Sequence, residues 1–344
     1  MIVSLTGISI AILVAGRNFL VPLVVGILVF VLMSAAIEWV TRIRIGPLRP
    51  PYWAAATIGL VAFGGIMFAI YGILASETQA MIAAWPAYAL RIEALIGSLD
   101  EWLGHEIVAG FLSAFEGSNV VSHLRTVAGS AGYAATMVVV VFLYVSFLFV
   151  ERSYFPKKLQ RMFPDGDRAS RVASVLGLIT DNVRRYVLVK SAISAGTSIA
   201  VYLVMYAVGL QFAKSIAVLT FFLNFIPSIG SIAATVIPSV LALAQFESWT
   251  PFLVVVTGIT AIQFVIGQFI DPLLTSRALN LSSLVIVLSL TFWAAVWGLV
   301  GMFLAVPLMV VVLVVCSHVP ELQAVAVLLS KDGSLTRLEA DRAS

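Results

Sequence analysis

The chain has 344 residues, of which 61% are hydrophobic and only 11% charged, with a mean hydropathy of +1.08 and a formal net charge of +3. A soluble domain carries about a quarter charged residues, so this composition excludes an ordinary soluble fold. Nucleic-acid binding is also unsupported, because no recognised binding module accompanies the basic residues.

The charged residues cluster and leave charge-free windows at 18–37, 50–76, 126–150, 191–213, 215–246, 248–270 and 278–320. Each reaches the ~20 residues a helix needs to cross the hydrocarbon. Alternating segments of ~10 residues, the mark of a membrane β-barrel, do not occur. The fold class is therefore an all-α polytopic membrane protein.

In chain order, no basic residue precedes the first apolar stretch, so residues 2–16 do not read as a cleaved signal peptide. Arg17 and Asn18 divide 2–37 into a pair of helices, the first of them short. Segment 38–51 carries Arg42, Arg44 and Arg49 against Glu38 alone, whereas 77–125 carries Arg91 and Arg125 against six acids. Segment 151–190 is again basic, from Arg152 to Lys190. The positive-inside bias puts both basic segments in the cytoplasm and the acidic one outside, joined by helices over roughly 52–75 and 127–150. The N-terminus is then inside.

Within the external segment, Ile92, Leu95, Ile96, Leu99, Trp102 and Leu103 share one helical face, with Gly104 as the stop. Its polar face is acidic, which favours packing against protein over an interfacial anchor. In the cytoplasmic segment, Asp167 caps a helix after the Pro164-Asp165-Gly166 turn. Val172, Val175, Leu176, Ile179, Val183, Tyr186 and Val187 form its apolar stripe, and the basic opposite face suits phospholipid headgroups.

Residues 191–209 form the next span, with Ala192, Gly196 and Ala200 at a spacing that lets two membrane helices approach closely. The run 213–246 is too long for one simple span, and each half is short for a span of its own. Asn224-Phe225-Ile226-Pro227-Ser228-Ile229-Gly230-Ser231 interrupts it. Pro227 removes a backbone donor and Gly230 weakens the helix, so the backbone is expected to open here. Open backbone at membrane depth is tolerated only inside protein or along a watery cavity. A helix over 251–270 ends at Asp271-Pro272, and a polar link leads to a second long run, 283–317, broken near Gly298 and Gly301. Cys316 has no partner for a disulfide. The expected architecture is about six full spans plus two interrupted or re-entrant hairpin segments, with an external amphipathic helix and a basic cytoplasmic helix. It divides into N-terminal transmembrane helices (1–76), the external segment (77–125), a transmembrane helix (126–150), the cytoplasmic segment (151–190), a transport unit with broken helices (191–320) and a cytoplasmic tail (321–344).

Paired breaks point to transporters that build a site from discontinuous helices. The competing reading is ordinary proline kinking, common in membrane helices. Asn224, Ser228 and Ser231 favour a site, because neutral hydrogen-bonding groups suit a neutral polar solute and buried charges are costly. Candidate residues for the solute pathway or gate are Asn224, Pro227, Ser228, Gly230, Ser231, Gln263, Gln268, Asp271, Arg277, Trp293 and Trp297. Asp271 and Arg277 fit a gating ion pair, a proton-responsive site or a plain interface salt bridge. His105, His123 and His318 belong to no zinc-binding pattern, Ser194-Ala195-Gly196 lacks the first glycine of a nucleophile elbow, and no phosphate loop is present. Neither an enzyme nor a cofactor is expected.

The chain resembles the autoinducer-2 exporter family, also called the PerM-like permeases. The resemblance runs over the whole chain in layout. It is carried by Tyr186-Val187-Leu188-Val189-Lys190-Ser191, by Asn224 to Ser231 with Pro238, and by Asp271-Pro272, Arg277 and Leu281-Ser282 leading into Val285. Phe292-Trp293, Trp297-Gly298, Gly301-Met302 and Val306-Pro307 complete it. Asp271 replaces the glutamate usual in the family, keeping the charge but shortening the reach. Asn280 stands where glycine is common and tolerates the left-handed conformation well. The resemblance implies a multi-pass inner-membrane permease with cytoplasmic termini, exporting a small polar signalling molecule such as autoinducer-2 as a homo-oligomer, a pentamer. Other members look like monovalent cation/proton antiporters, the alternative reading. That mechanism uses carboxylates inside the membrane, and the long charge-free windows hold none.

Overall fold

A computed structural model describes residues 2–42, 52–103, 131–275 and 280–333. Arg277, His105, His123 and the tail from 334 lie outside the described residues. The elements are α1 (Ile2–Ala15), α2 (Arg17–Arg42), α3 (Tyr52–Leu103), α4 (Ala131–Arg152), α5 (Phe155–Met162), α6 (Gly166–Ala207), α7 (Ala213–Leu223), α8 (Ile229–Gln245), α9 (Trp249–Val265), a π turn (Ile266–Ile270), α10 (Asp271–Thr275), α11 (Ser283–His318), a 3-10 turn (Pro320–Leu322) and α12 (Gln323–Leu329). No strand occurs among the described residues apart from an isolated antiparallel bridge between Leu281 and Ser330.

Six helices are long and apolar enough to cross a membrane: Arg17–Glu38, Tyr52–Leu95, Ala135–Arg152, Gly166–Ala207, Trp249–Leu274 and Ser283–His318. Their large apolar side chains face outward in number, as in Trp53, Phe68 and Leu273, each more than 70% exposed. Such surfaces suit lipid, since a helix satisfies its own backbone and leaves hydrocarbon outside. Two pairs of sequence segments merge. The span near 52–75 and the amphipathic stretch to Leu103 are one helix of 52 residues, about 78 Å long. The basic stretch from Asp167 and the following span are likewise one 42-residue helix, α6. The helix after Trp249 does not end at Asp271-Pro272; it runs on to Thr275. Pro272 has no N–H for the carbonyl four residues back and crowds it. The π turn directly ahead takes up that mismatch with one extra residue.

The chain forms two compact units. The first comprises 1–65, 137–193 and 270–344, the second 66–136 and 194–269. In the first, Val21 and Leu28 of α2, Val183, Tyr186 and Val187 of α6, and Leu304, Val310 and Leu313 of α11 share one apolar core. Glu38 near the end of α2 binds Arg152 at the end of α4 (3.0 Å) and Arg184 within α6 (2.8 Å), tying three helices together. In the second unit, Tyr88, Val201, Met205, Ile216, Ala217, Leu241, Val255 and Ile259 form the core, contributed by α3, α6, α7, α8 and α9.

Each unit contains a helical hairpin. In the second unit α7 and α8 pack against each other. Gln245 joins the two ends at the base: its Oε1 accepts from Gln211 N (2.7 Å) and its Nε2 donates to Gly209 O (2.9 Å). Asn224 to Ser228 form the tip, and Ser228 takes a positive φ of 62°. The reversal is tight enough that a Cβ on Gly230 would lie 1.8 Å from Leu223 O. In the first unit α11 folds back at Gly298, whose φ of 64° and ψ of −144° leave the helical region. Ser289 Oγ donates to Ala305 O at 3.3 Å. A straight helix would separate these residues by about 24 Å. A Cβ on Gly301 would lie 2.0 Å from Trp293 O.

Gly230→Ala and Gly301→Ala should each lower thermal stability in detergent by the equivalent of about 1–3 kcal/mol, the usual penalty of overpacking. Gly196→Ala, where an added Cβ meets open space, should leave stability unchanged or raise it. A fluorescence-detected melting series on the three variants checks this.

Candidate functional site

The tip of the α7–α8 hairpin is where polar groups enter an apolar bundle. Asn224 is buried, and its Nδ2 donates to Ser194 Oγ (3.3 Å) and Thr197 Oγ1 (3.4 Å). Ser194 and Thr197 stand one turn apart on α6, and both are fully buried. Thr220, also fully buried, returns its hydroxyl to Ile216 O at 2.8 Å, and Ser198 Oγ donates to Ala217 O at 2.6 Å. The group is neutral throughout: an amide and four hydroxyls whose partners are each other and helix carbonyls. Buried polar groups persist only with such partners. The sequence signal for Ser194 and Thr197 lay in the hydroxyls interleaved with Ala192, Gly196 and Ala200, which otherwise read as a close-packing stripe.

The other residues expected at the site fall as follows. Pro227 is half-buried at the tip, four residues past the end of α7 at Leu223. Ser228 is exposed, and Ser231 is half-buried in the first turn of α8. Gln263 is buried on α9, in line with Val255 and Ile259, and its Nε2 has no hydrogen-bond partner. An orphaned buried donor costs about 1–3 kcal/mol. Gln268 is exposed in the π turn. These residues and Asn224 and Gly230 belong to the second unit; Asp271, Trp293 and Trp297 belong to the first.

Asp271 has a partner that sequence reasoning did not assign. Its Oδ2 accepts from Lys190 Nζ at 2.7 Å. The Lys190 side chain is 6% exposed and that of Asp271 29%. Lys190 sits on α6, one turn beyond the buried Tyr186. Trp293 and Trp297 pack in the first unit with ring centroids 4.7 Å apart and planes tilted by 44°. Trp297 is buried and donates its indole N–H to Leu13 O of α1 at 3.0 Å, so it fastens the hairpin to the N-terminal helix. Among the described residues no group of His, Cys, Asp and Glu could hold a metal.

Long lipid-facing helices and two backbone reversals closed by glycine define a multi-pass helical membrane protein with broken helices. A family model for AI-2E family transporters matches residues 1–321. The chain belongs to the AI-2E transporter family, as its motifs indicated. It is 28% identical over 317 residues to the AI-2 transport protein TqsA of Escherichia coli strain K12, covering 91% of this chain and 90% of that protein. The putative permease PerM of the same strain is 26% identical over 315 residues, covering 86% of this chain and 88% of that protein. A putative transport protein of Borreliella burgdorferi is 32% identical over 208 residues, 60% of this chain and 57% of that protein.

Removing Asp271 leaves the Lys190 ammonium, 6% exposed, without its carboxylate, and removing Lys190 takes from Asp271 a charged partner at 2.7 Å. Lys190→Met and Asp271→Asn should each lower stability by about 1–3 kcal/mol, the range for a partly buried pair. The double variant should lose less than the sum, and a double-mutant cycle on melting temperature measures the coupling.

Proposed function

We propose that this transporter exports a small, neutral, polar signalling molecule, autoinducer-2, across the bacterial inner membrane, and that Asn224 with Ser194 and Thr197 contacts it. The observation that carries this reading is the neutral polar cluster at a hairpin tip inside apolar helices. An amide and hydroxyls can exchange their mutual bonds for bonds to a sugar-like solute without moving a charge out of water. The unpartnered Nε2 of Gln263, in the same unit, supports the reading, because a buried donor without a partner is suited to meet a ligand. The named activity of the TqsA relative supplies the cargo. Pro227, Ser228, Gly230 and Ser231 shape the tip; Gln268, Asp271, Arg277, Trp293 and Trp297 are assigned to the pathway or its gate. The chain acts as a permease and not as an enzyme, and it assembles as a homo-oligomer, a pentamer by the family resemblance.

Both termini face the cytoplasm in this reading. Segments 38–51 and 151–190 are then inside and 77–125 outside. The base of the α7–α8 hairpin also falls outside by span parity. Two contacts within the second unit support that: Glu77 Oε2 accepts from Ser215 N at the start of α7 (2.8 Å), and Arg91 donates to Phe246 O after α8 (3.5 Å). The alternative, cation/proton antiport, would use Asp271 as the exchanging carboxylate. Its bond to Lys190 weighs against that, because the lysine already neutralises it.

The test is efflux of labelled autoinducer-2 from proteoliposomes. Wild type should exceed empty vesicles. Asn224→Ala should fall roughly tenfold, the effect of one lost buried hydrogen-bonding group. Ile232→Ala, at 64% exposure, should match wild type. Equal efflux from empty and protein-containing vesicles rejects this cargo. Sodium- or lithium-driven proton movement that disappears in Asp271→Asn would establish the antiporter instead.

A further inference from the structure

Three rows of buried side chains in the second unit change from apolar to polar at one depth. Their apolar parts share one core: Val201 and Met205 of α6, Ala217 of α7, and Val255 and Ile259 of α9. Residues three or four positions further along fall on the same helix faces. They are Thr197 and Ser194 on α6, Thr220 and Asn224 on α7, and Gln263 on α9, all buried. The helices share an end, where Gln245 binds Gly209 and Gln211 and α9 begins at Trp249. α6 arrives there at Ala207, and α7 leaves from Ala213. At 1.5 Å per residue, Ser194, Thr197, Asn224 and Gln263 stand roughly 15–21 Å from that end. α9 runs beside α6, since a Cβ on Gly258 would lie 3.2 Å from Val204 Cγ1.

Gln263 differs from the other groups at this depth. It is 8% exposed, and its Nε2 has no hydrogen-bond partner. The other unpartnered buried polar atoms among the described residues lie elsewhere. Ser34 Oγ is in the first unit, and Ser215 Oγ and Arg91 Nε flank the base of the α7–α8 hairpin. A buried donor is rarely left without an acceptor, and a primary amide has two N–H groups to place. Met or Leu would fill the same position on an apolar helix without that cost. No charged residue occurs in 191–213, 215–246 or 248–270 apart from the intervening Lys214 and Glu247 near the opposite end. An anion would find no counter-charge at this depth, and a cation would meet the hydrogen-bearing side of an amide. An uncharged oxygen suits the amide. We infer that Gln263 is a specificity-determining contact of the solute site: its Nε2 donates to a hydroxyl, ether or carbonyl oxygen of the solute, while Asn224, Ser194 and Thr197 hold other oxygens. The solute class is a neutral molecule with several oxygens, such as a sugar-like compound. This rests on the reading that the hairpin tip contacts the solute.

Gln263→Met keeps the length of the side chain and removes the amide. Its melting temperature in detergent should equal or exceed that of wild type, because no protein hydrogen bond is lost. Efflux of labelled autoinducer-2 from proteoliposomes should fall roughly tenfold. A clearly lower melting temperature, the mark of a structural amide, would overturn the inference, and so would wild-type efflux. A second measurement does not depend on the cargo. In a Cys316→Ser background, Gln263→Cys in reconstituted vesicles should react with a small neutral methanethiosulfonate. Ile259→Cys, one turn further into the apolar core, should not. A Gln263→Cys thiol as inert as that of Ile259→Cys would overturn the inference. If wild-type efflux equals that of empty vesicles, autoinducer-2 is rejected as cargo, and the thiol reaction decides the role of Gln263.

Discussion

In hydrocarbon every backbone N–H and C=O must find a partner within the protein. That constraint governs the two hairpin reversals among the described residues. At the first, Phe225 N bonds Phe222 O, Ile226 N bonds Leu223 O and Gly230 N bonds Ile226 O, so the turn closes almost as soon as the helix opens. At the second, Gly298 supplies a backbone conformation that side chains rarely allow. Tight closure needs close approach, and close approach needs glycine at Gly230 and Gly301, where a Cβ would strike a carbonyl. The buried polar groups follow from this geometry. α7 ends at Leu223, four residues before Pro227, and the Asn224 side chain that follows finds its partners in the hydroxyls of Ser194 and Thr197 on α6.

Charge is distributed by the same logic. The deep groups at the first hairpin tip are neutral, and they satisfy one another at little cost. The Lys190–Asp271 pair joins the interior of α6 to the last turns of the helix that runs on to Thr275, where Asp271 keeps some access to solvent. A fully buried pair would have to recover two desolvation penalties from one contact. Glu38 with Arg152 and Arg184 gathers charge near the ends of α2 and α4 and within the basic part of α6, again leaving the apolar windows free. The family relationship to transport proteins and the neutral polar tip lead to the same reading of function by different routes.

Much of this was legible in the sequence because the signals were compositional. Charge-free windows located the long helices, and Pro227 with Gly230 located the first reversal. Gly298 and Gly301 located the second. What escaped was three-dimensional. Continuity of α3 from Tyr52 to Leu103 was hidden because a change from all-apolar to amphipathic pattern looks like a boundary, and because Pro86 between the two parts reads as a helix stop although the helix carries it inside. The helix end expected at Asp271-Pro272 failed because a π turn absorbs the proline. Lys190 was visible as part of a motif but not as the partner of Asp271, since the two are 81 positions apart. Ser194 and Thr197 were masked by the small residues around them.

The central claim is that the apolar run after Ser283 folds back on itself at Gly298, so that chain reversals and not extra spans account for its length. Oxidative cross-linking of Ser289→Cys/Ala305→Cys in a Cys316→Ser background, in native membranes, measures this directly. The hairpin predicts that both thiols become inaccessible to maleimide on oxidation and return on reduction. Two thiols that stay fully reactive under the same oxidation would mean a straight helix, and would contradict the account.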